Sequence, residues 1–164
     1  MDVIWQWSLA SYILGAYIFD VLYRPFIIAK IARQAADKRN KPLLNIGAGT
    51  PHSSLRSLVI GPTLWGDVNL DIAASKQIPH GDGKVSYGDI HKLPFKDKEF
   101  GVVIASHVLE HVTDPVAALK ELSRVSDEIF VITPLWWCPH TWTHPGHKWY
   151  VSEDGTCYPL WGNT

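Results

Sequence analysis

The 164 residues suffice for one globular domain and little more. A net charge of -1 argues against a nucleic-acid surface, which needs a concentrated basic face that the folded-looking part does not show, so no nucleic acid is expected as partner. Cys138 and Cys157 lie far apart and form no CxxC pair, which points to free thiols in a reducing compartment.

From Val3 to Phe19 the chain is almost wholly apolar, broken by Gln6, Ser8 and Ser11, and apolar character resumes after Asp20 with Val21, Leu22 and Tyr23. That run meets the length of a bilayer-spanning helix, about 20 residues. Arg24, Lys30, Arg33, Lys38, Arg39 and Lys41 follow, whereas only Met1 and Asp2 precede it, so the positive-inside rule puts the body of the protein on the cytoplasmic side of a single-pass anchor. No basic start or small-residue cleavage site marks a signal peptide. An apolar helix packed on the sheet or on a partner is the rival reading, and Asp20 and Gln6 favour it. Ser8, Ser11 and Gly15 share a helical face on which another helix would pack closely. Trp5 and Trp7 here, and Trp136, Trp137, Trp142, Trp149 and Trp161 near the other end, suit a contact surface or a membrane interface.

Pro25 opens a second helix to about Asp37, expected to be interfacial or linking, and Asn40-Lys41-Pro42 ends it. Leu43 to Ile46 then reads as a buried parallel strand that stops at Gly47 and Gly49, where the backbone can approach a ligand. A short helix over Ser53 to Leu58, closed by Gly61-Pro62, leads to a second strand ending at Asp71. A loop with Gly81-Asp82-Gly83 leads to a third, whose end carries Asp89 and Ile90. The polar connection His91 to Phe100 precedes a fourth buried strand, Gly101 to Ala105. Ser106 to His111 is read as a turn into a helix, and Asp114-Pro115 as the N-cap and first position of the helix running to Val125. Ile129 to Ile132 is a fifth strand, stopped by Thr133-Pro134. Repeated strand, loop and carboxylate is the layout of a doubly wound sheet whose carboxyl edge binds a ribose and a base. A dinucleotide oxidoreductase would want a glycine at position 52, where His52 stands.

Leu44-Asn45-Ile46-Gly47-Ala48-Gly49, Asn69-Leu70-Asp71, Gly88-Asp89-Ile90, Leu93-Pro94-Phe95, Phe100-Gly101-Val102-Val103 and His107-Val108-Leu109-Glu110-His111-Val112 occur in this order. Together they resemble the class I S-adenosylmethionine-dependent methyltransferases, in the small-molecule type with an "LPF…VLEH" run, over about Leu43 to Pro134. The resemblance implies a three-layer Rossmann-like methyltransferase fold of class α/β: a mainly parallel sheet of about five strands, preceded here by the N-terminal apolar helix. It implies S-adenosylmethionine as cofactor. Gly47 and Gly49 would pass the methionine part, Asp71 would take both ribose hydroxyls, and Asp89 the adenine amino group with Ile90 against the ring. Ser106 and His107 would border the methyl-transfer pocket, and Asn45, Ala48 and Ile72 belong to the same cofactor-binding set. No catalytic residue can be assigned; His107, Glu110 and His111 read as an acid/base group or as helix-surface and packing residues, and His107 and His111 are the catalytic candidates.

Asn45 replaces a frequent acidic residue of the family and Gly101 a frequent aspartate. After Pro134, residues 135–164 are too few for the family's usual remaining helix and closing hairpin, so the fifth strand would be an edge covered by the tail, a protein partner, another subunit or the membrane. His147 to Ser152 resembles the substrate-side loop that leads into the next helix, with Ser152 as N-cap. Cys138, His140, His144, His147 and Cys157 have zinc-ligand chemistry, but their spacing matches no standard finger, so no metal is expected and the tail is read as an aromatic, histidine-rich binding loop. The expected organisation is a membrane-associated and linking segment at 1–41, a cofactor domain at 42–134 and a substrate or partner tail at 135–164. The expected activity is methyl transfer to a small or lipid-like acceptor at a membrane. The alternative is a degenerate, non-catalytic accessory subunit of a membrane or viral assembly.

Overall fold

A computed structural model describes residues 2–49, 63–74 and 85–160, with side chains from residue 8 onward. The helix expected over Ser53 to Leu58 and the Gly81-Asp82-Gly83 loop lie outside the described residues. Helix α1 (Asp2–Tyr17) continues through a π-helical stretch, Ile18–Tyr23, into α2 (Arg24–Arg39). Then follow β1 (Leu43–Ile46), β2 (Val68–Asp71), β3 (Val85–Tyr87), β4 (Phe100–Ser106), α3 (Pro115–Val125) and β5 (Ser126–Ile132). The tail holds a short helix, α4 (Pro139–Thr143), and the strands β6 (Trp149–Val151) and β7 (Cys157–Pro159).

The sheet runs β3-β2-β1-β4-β5 with every pairing parallel. A parallel sheet is stable only when both faces are covered, and side-chain alternation along β1 and β4 divides the core in two. Leu44, Ile46, Val103 and Ala105 pack under α3 with Ala118, Leu122 and Val125. Leu43, Val102 and Ile104 face the other way, against Ala29, Ala32 and Ala36 of α2. The result is the three-layer α/β architecture expected, with α2 as one of its layers.

Three elements differ from the sequence reading. The linking helix is a packed core helix: its alanines are the small residues that let a helix lie close on a sheet, and the intervening basic side chains point outward, with Arg33 paired to Asp67 at 2.8 Å. The helix expected after Ser152 is a hairpin. Asp154 accepts from the Ser152 hydroxyl and the Thr156 amide, and Gly155 takes a left-handed φ of +84°, so the chain turns back and pairs Val151 with Cys157. Between Ser106 and Asp114 the chain makes turns without a helix, while Asp114 caps α3 as expected, accepting from Ala117 N at 2.9 Å.

The π-helical stretch places Asp20, fully buried, where the helix crosses the sheet's carboxyl end. Its carboxylate meets Arg24 at 2.7 Å and accepts from Leu135 N at 3.1 Å, and Arg24 also donates to the Thr133 carbonyl. Asp20, a poor residue for a bilayer, is thus a fastening point between the N-terminal helix and the chain beyond β5. Ala32→Leu, which forces extra volume between α2 and the sheet, is expected to cost about 1–3 kcal/mol in a denaturant melt; an unchanged stability would contradict α2 as a core layer.

Candidate functional site

The sheet order reverses between β1 and β4, and in open parallel sheets the crevice outside the carboxyl ends at such a switch point takes the ligand. Gly47, directly after β1, has φ +76°, and a Cβ there would stand 2.2 Å from Val108 Cγ2, so only glycine lets this turn pass the loop after β4. Gly47 N and Ala48 N donate to the Leu70 carbonyl, holding the turn against β2.

Asp71 and Asp89 close the neighbouring strands. Asp71 Oδ2 accepts from Gly49 N at 2.8 Å and Oδ1 from Ala73 N at 2.8 Å, while Gly88 N donates to the Asp71 carbonyl, so the glycine turn and both acidic ends form one rim. Each oxygen keeps a further lone pair for a ligand. Asp89 Oδ1 takes both the backbone amide and Nδ1 of His91, which hold its carboxyl below the usual range despite slight burial. Ile72, 65% exposed beside this rim, is free to pack on a flat ligand.

Other expected contact residues sit behind the rim. Ile90 is a core residue, and Asn45 is fully buried with its amide donating to the Thr63 carbonyl and Asn69 Oδ1, so both support the site from within; Ala48 is equally buried. Ser106 is buried with its hydroxyl unpaired at the end of β4. His107 follows in a left-handed conformation, φ +55°, uncommon for a residue with a side chain and typical of constrained functional turns.

The two acid/base candidates point to different neighbours. His107 Nδ1 lies 3.3 Å from Glu110 Oε1 and its Nε2 is 3.4 Å from the Asp20 carbonyl. His111 Nδ1 bonds the Gly146 carbonyl at 2.9 Å, and its ring stands within 5.4 Å of those of His144 and His147. Glu110, which the sequence groups with His107 and His111, is buried. Burial pushes its carboxyl up, but His107 and then His111 outweigh this and hold it below the usual range. In the tail, burial and then His147 and His144 push His140 down to about 4.

A methyltransferase domain family matches residues 44–128, just over half of the chain. The chain is 30% identical over 118 residues to a demethylmenaquinone methyltransferase of Chlamydia pneumoniae, covering 66% of this chain and 51% of that protein. It is 25% identical over 122 residues to a tRNA U34 carboxymethyltransferase of Nautilia profundicola, covering 71% and 41% respectively. A solved S-adenosylmethionine-dependent methyltransferase from Thermotoga maritima aligns with TM-score 0.36 and 21% identity, over 74% of this chain and 60% of that one. The chain spans about half or less of the length of these curated relatives. It belongs to the methyltransferase domain family, of the class I S-adenosylmethionine-dependent type, and S-adenosylmethionine is the corresponding cofactor. The residues present fit that group: a glycine turn that a side chain would fill, two carboxylates with free lone pairs, and an exposed apolar side chain.

Gly47→Ala is expected to lower stability by about 1–3 kcal/mol, through its positive φ and the Val108 contact. Adding Val108→Ala should recover the steric part. Equal stability of Gly47→Ala and the parent in denaturant melts would contradict the close approach.

Proposed function

We propose that this protein is a membrane-associated methyltransferase that binds S-adenosylmethionine along the rim from Gly47 to Asp89 and methylates a small or lipid-like acceptor. The observation carrying this reading is the coupling of Asp71 to the Gly49 amide, which sets a strand-end carboxylate against the glycine turn. Asp71 would accept the two ribose hydroxyls, Asp89 the adenine amino group, and Ile72 would cover the ring, with Gly47, Ala48 and Gly49 passing the methionine part. Asn45 and Ile90 would act from behind, by holding the strand ends in place. When bound, the cofactor supplies an electrophilic methyl group on a sulfonium, transferred in line to a lone pair of the acceptor. Ser106 and His107 would line the approach, and the protein would contribute mainly position and exclusion of water. The hydrogen-bonded His107 and His111 assign no general base.

A cavity of about 470 Å³ supports an apolar acceptor. It lies between α1 and the tail, lined by Ala10, Ile13, Leu14, Tyr17, Cys138 and His140. Residues 135–164 would thus serve as the acceptor loop beside the cofactor segment at 42–134. That some relatives are named for demethylmenaquinone agrees with a small-molecule acceptor. The helix Ser8–Arg39 is long and apolar enough to cross a membrane, and Leu9, Ile13, Leu14, Ile18 and Phe19 are exposed on it. Trp136, Trp137 and Trp142 are exposed on the tail that packs beside it, and Tyr12 donates to the Trp137 carbonyl at 3.0 Å. This aromatic group suits the headgroup level, with the α1 segment 2–11 entering the bilayer and the basic flank putting the domain on the cytoplasmic side.

The second reading, a non-catalytic subunit of a larger assembly, is favoured by β5, an edge strand with intermediate exposure from Glu128 to Val131 to which a protein partner could add. Calorimetric titration with S-adenosylmethionine separates the two. The folded protein should bind, and Asp71→Asn should weaken binding by at least about tenfold, or 1.4 kcal/mol, with the fold intact. No binding by the folded parent would leave the subunit reading. In vesicle flotation, removal of residues 2–11 should release the protein from lipid; continued flotation would contradict the anchor.

A further inference from the structure

The tail gathers four imidazoles at one place. The ring centroids of His144 and His147 are 4.5 Å apart, those of His111 and His147 4.9 Å, and His140 stands 5.0 and 5.1 Å from His144 and His147. His111 comes from the loop after β4, whereas the other three come from the segment around α4, so the cluster bridges two parts of the chain. We propose that His111, His144 and His147 form a binding site for one zinc ion that fastens the C-terminal segment to the loop after β4.

Their ligand nitrogens all lie within 4.8 Å of one another. Tetrahedral zinc, with nitrogen bonds of 2.0–2.1 Å, sets its ligand nitrogens about 3.4 Å apart, so the group must close by up to about 1.4 Å. The exposed His144 is the member best able to move. Two rings already hold the tautomer that a ligand needs. His111 Nδ1 bonds the Gly146 carbonyl at 2.9 Å and His147 Nδ1 the Thr141 carbonyl at 3.0 Å. A carbonyl can only accept, so in both rings Nδ1 carries the proton and Nε2 keeps its lone pair, the arrangement that backbone carbonyls impose on zinc-bound histidines. His144 Nδ1 receives the Gly146 amide at 3.1 Å, an exposed bond that water can replace when the ring turns to an ion.

Charge also favours a cation. Glu110, 1% exposed and adjacent to His111, has neither carboxylate oxygen in a well-formed hydrogen bond, and His107 Nδ1 lies 3.3 Å from its Oε1. A divalent ion held by three neutral rings would sit beside this buried carboxylate, which has room for a further electrostatic partner. Packing alone gives no reason for four imidazoles where apolar rings would serve, and protonating them together would set like charges about 5 Å apart. Three nitrogen ligands leave a fourth position for water. Lys148 N and Trp149 N donate to the Glu110 carbonyl and Trp149 Nε1 to that of Val112, so the same junction is already stitched by backbone bonds that zinc would reinforce.

Full-length protein without an affinity tag, stripped with a chelator and held in detergent, would be titrated with zinc against a chromophoric chelator. One zinc per chain is expected, as is a visible absorption band of four-coordinate geometry when cobalt(II) replaces it. Zinc should raise the melting temperature by mass action. His144→Asn and His147→Asn should each weaken binding by at least about tenfold, and together abolish it. Cys157→Ser should leave it unchanged, and circular dichroism would verify the fold; His144→Asn alters an exposed residue and keeps the test decisive if His147→Asn fails to fold. Absence of zinc binding by the folded parent, or undiminished binding by the folded His144→Asn variant, would overturn the proposal.

Discussion

Burial of β1 on both faces is the constraint from which the remaining architecture follows. A central parallel strand cannot leave either face wet, and Leu43 and Leu44, fully buried on opposite sides, require one covering layer each. One is α3. The other is α2, so the N-terminal helix is at once the apolar arm of the protein and a wall of its domain. At the carboxyl end, the same strand meets the loop after β4 so closely that Gly47 alone fits, and the turn it makes delivers the Gly49 amide to Asp71. Core packing and the geometry of the rim at Gly47 and Asp71 are therefore two ends of one four-residue strand.

The glycine turn and the acidic strand ends were legible in the sequence because they are local. A short apolar run ending in two glycines, and two strand-like runs ending in aspartate, each imply their position without knowledge of the rest. The N-cap at Asp114 was legible for the same reason. What the residues could not reveal is which face an alanine-spaced helix covers, and so α2 read as a linker. Ser152 was ambiguous in kind: a serine followed by acidic residues caps a helix or opens a turn equally well, and the Asp154 and Gly155 geometry decides for the hairpin.

The partner of each buried charge was also hidden. Asp20 looked like a blemish in an apolar run, but it joins Arg24 and the Leu135 amide across more than a hundred residues. Glu110 and His111 read as acid/base candidates or as helix-surface residues within a family motif. Folding buries the first and sets the second among histidines more than thirty positions away, which no spacing rule within the tail contains. Long-range polar pairing depends on topology, which residue patterns specify only after the layers are assembled.

The central claim is that the Gly47 to Asp89 rim is the cofactor site. It is tested most directly by backbone amide chemical-shift mapping of the full chain with S-adenosylhomocysteine, the methyl-free product. The account predicts the largest changes at Gly47, Gly49, Ile72 and Asp89, at the ends of β1, β2 and β3, with β7 undisturbed. Saturable changes confined to the tail, or none at all in the folded protein, would contradict it.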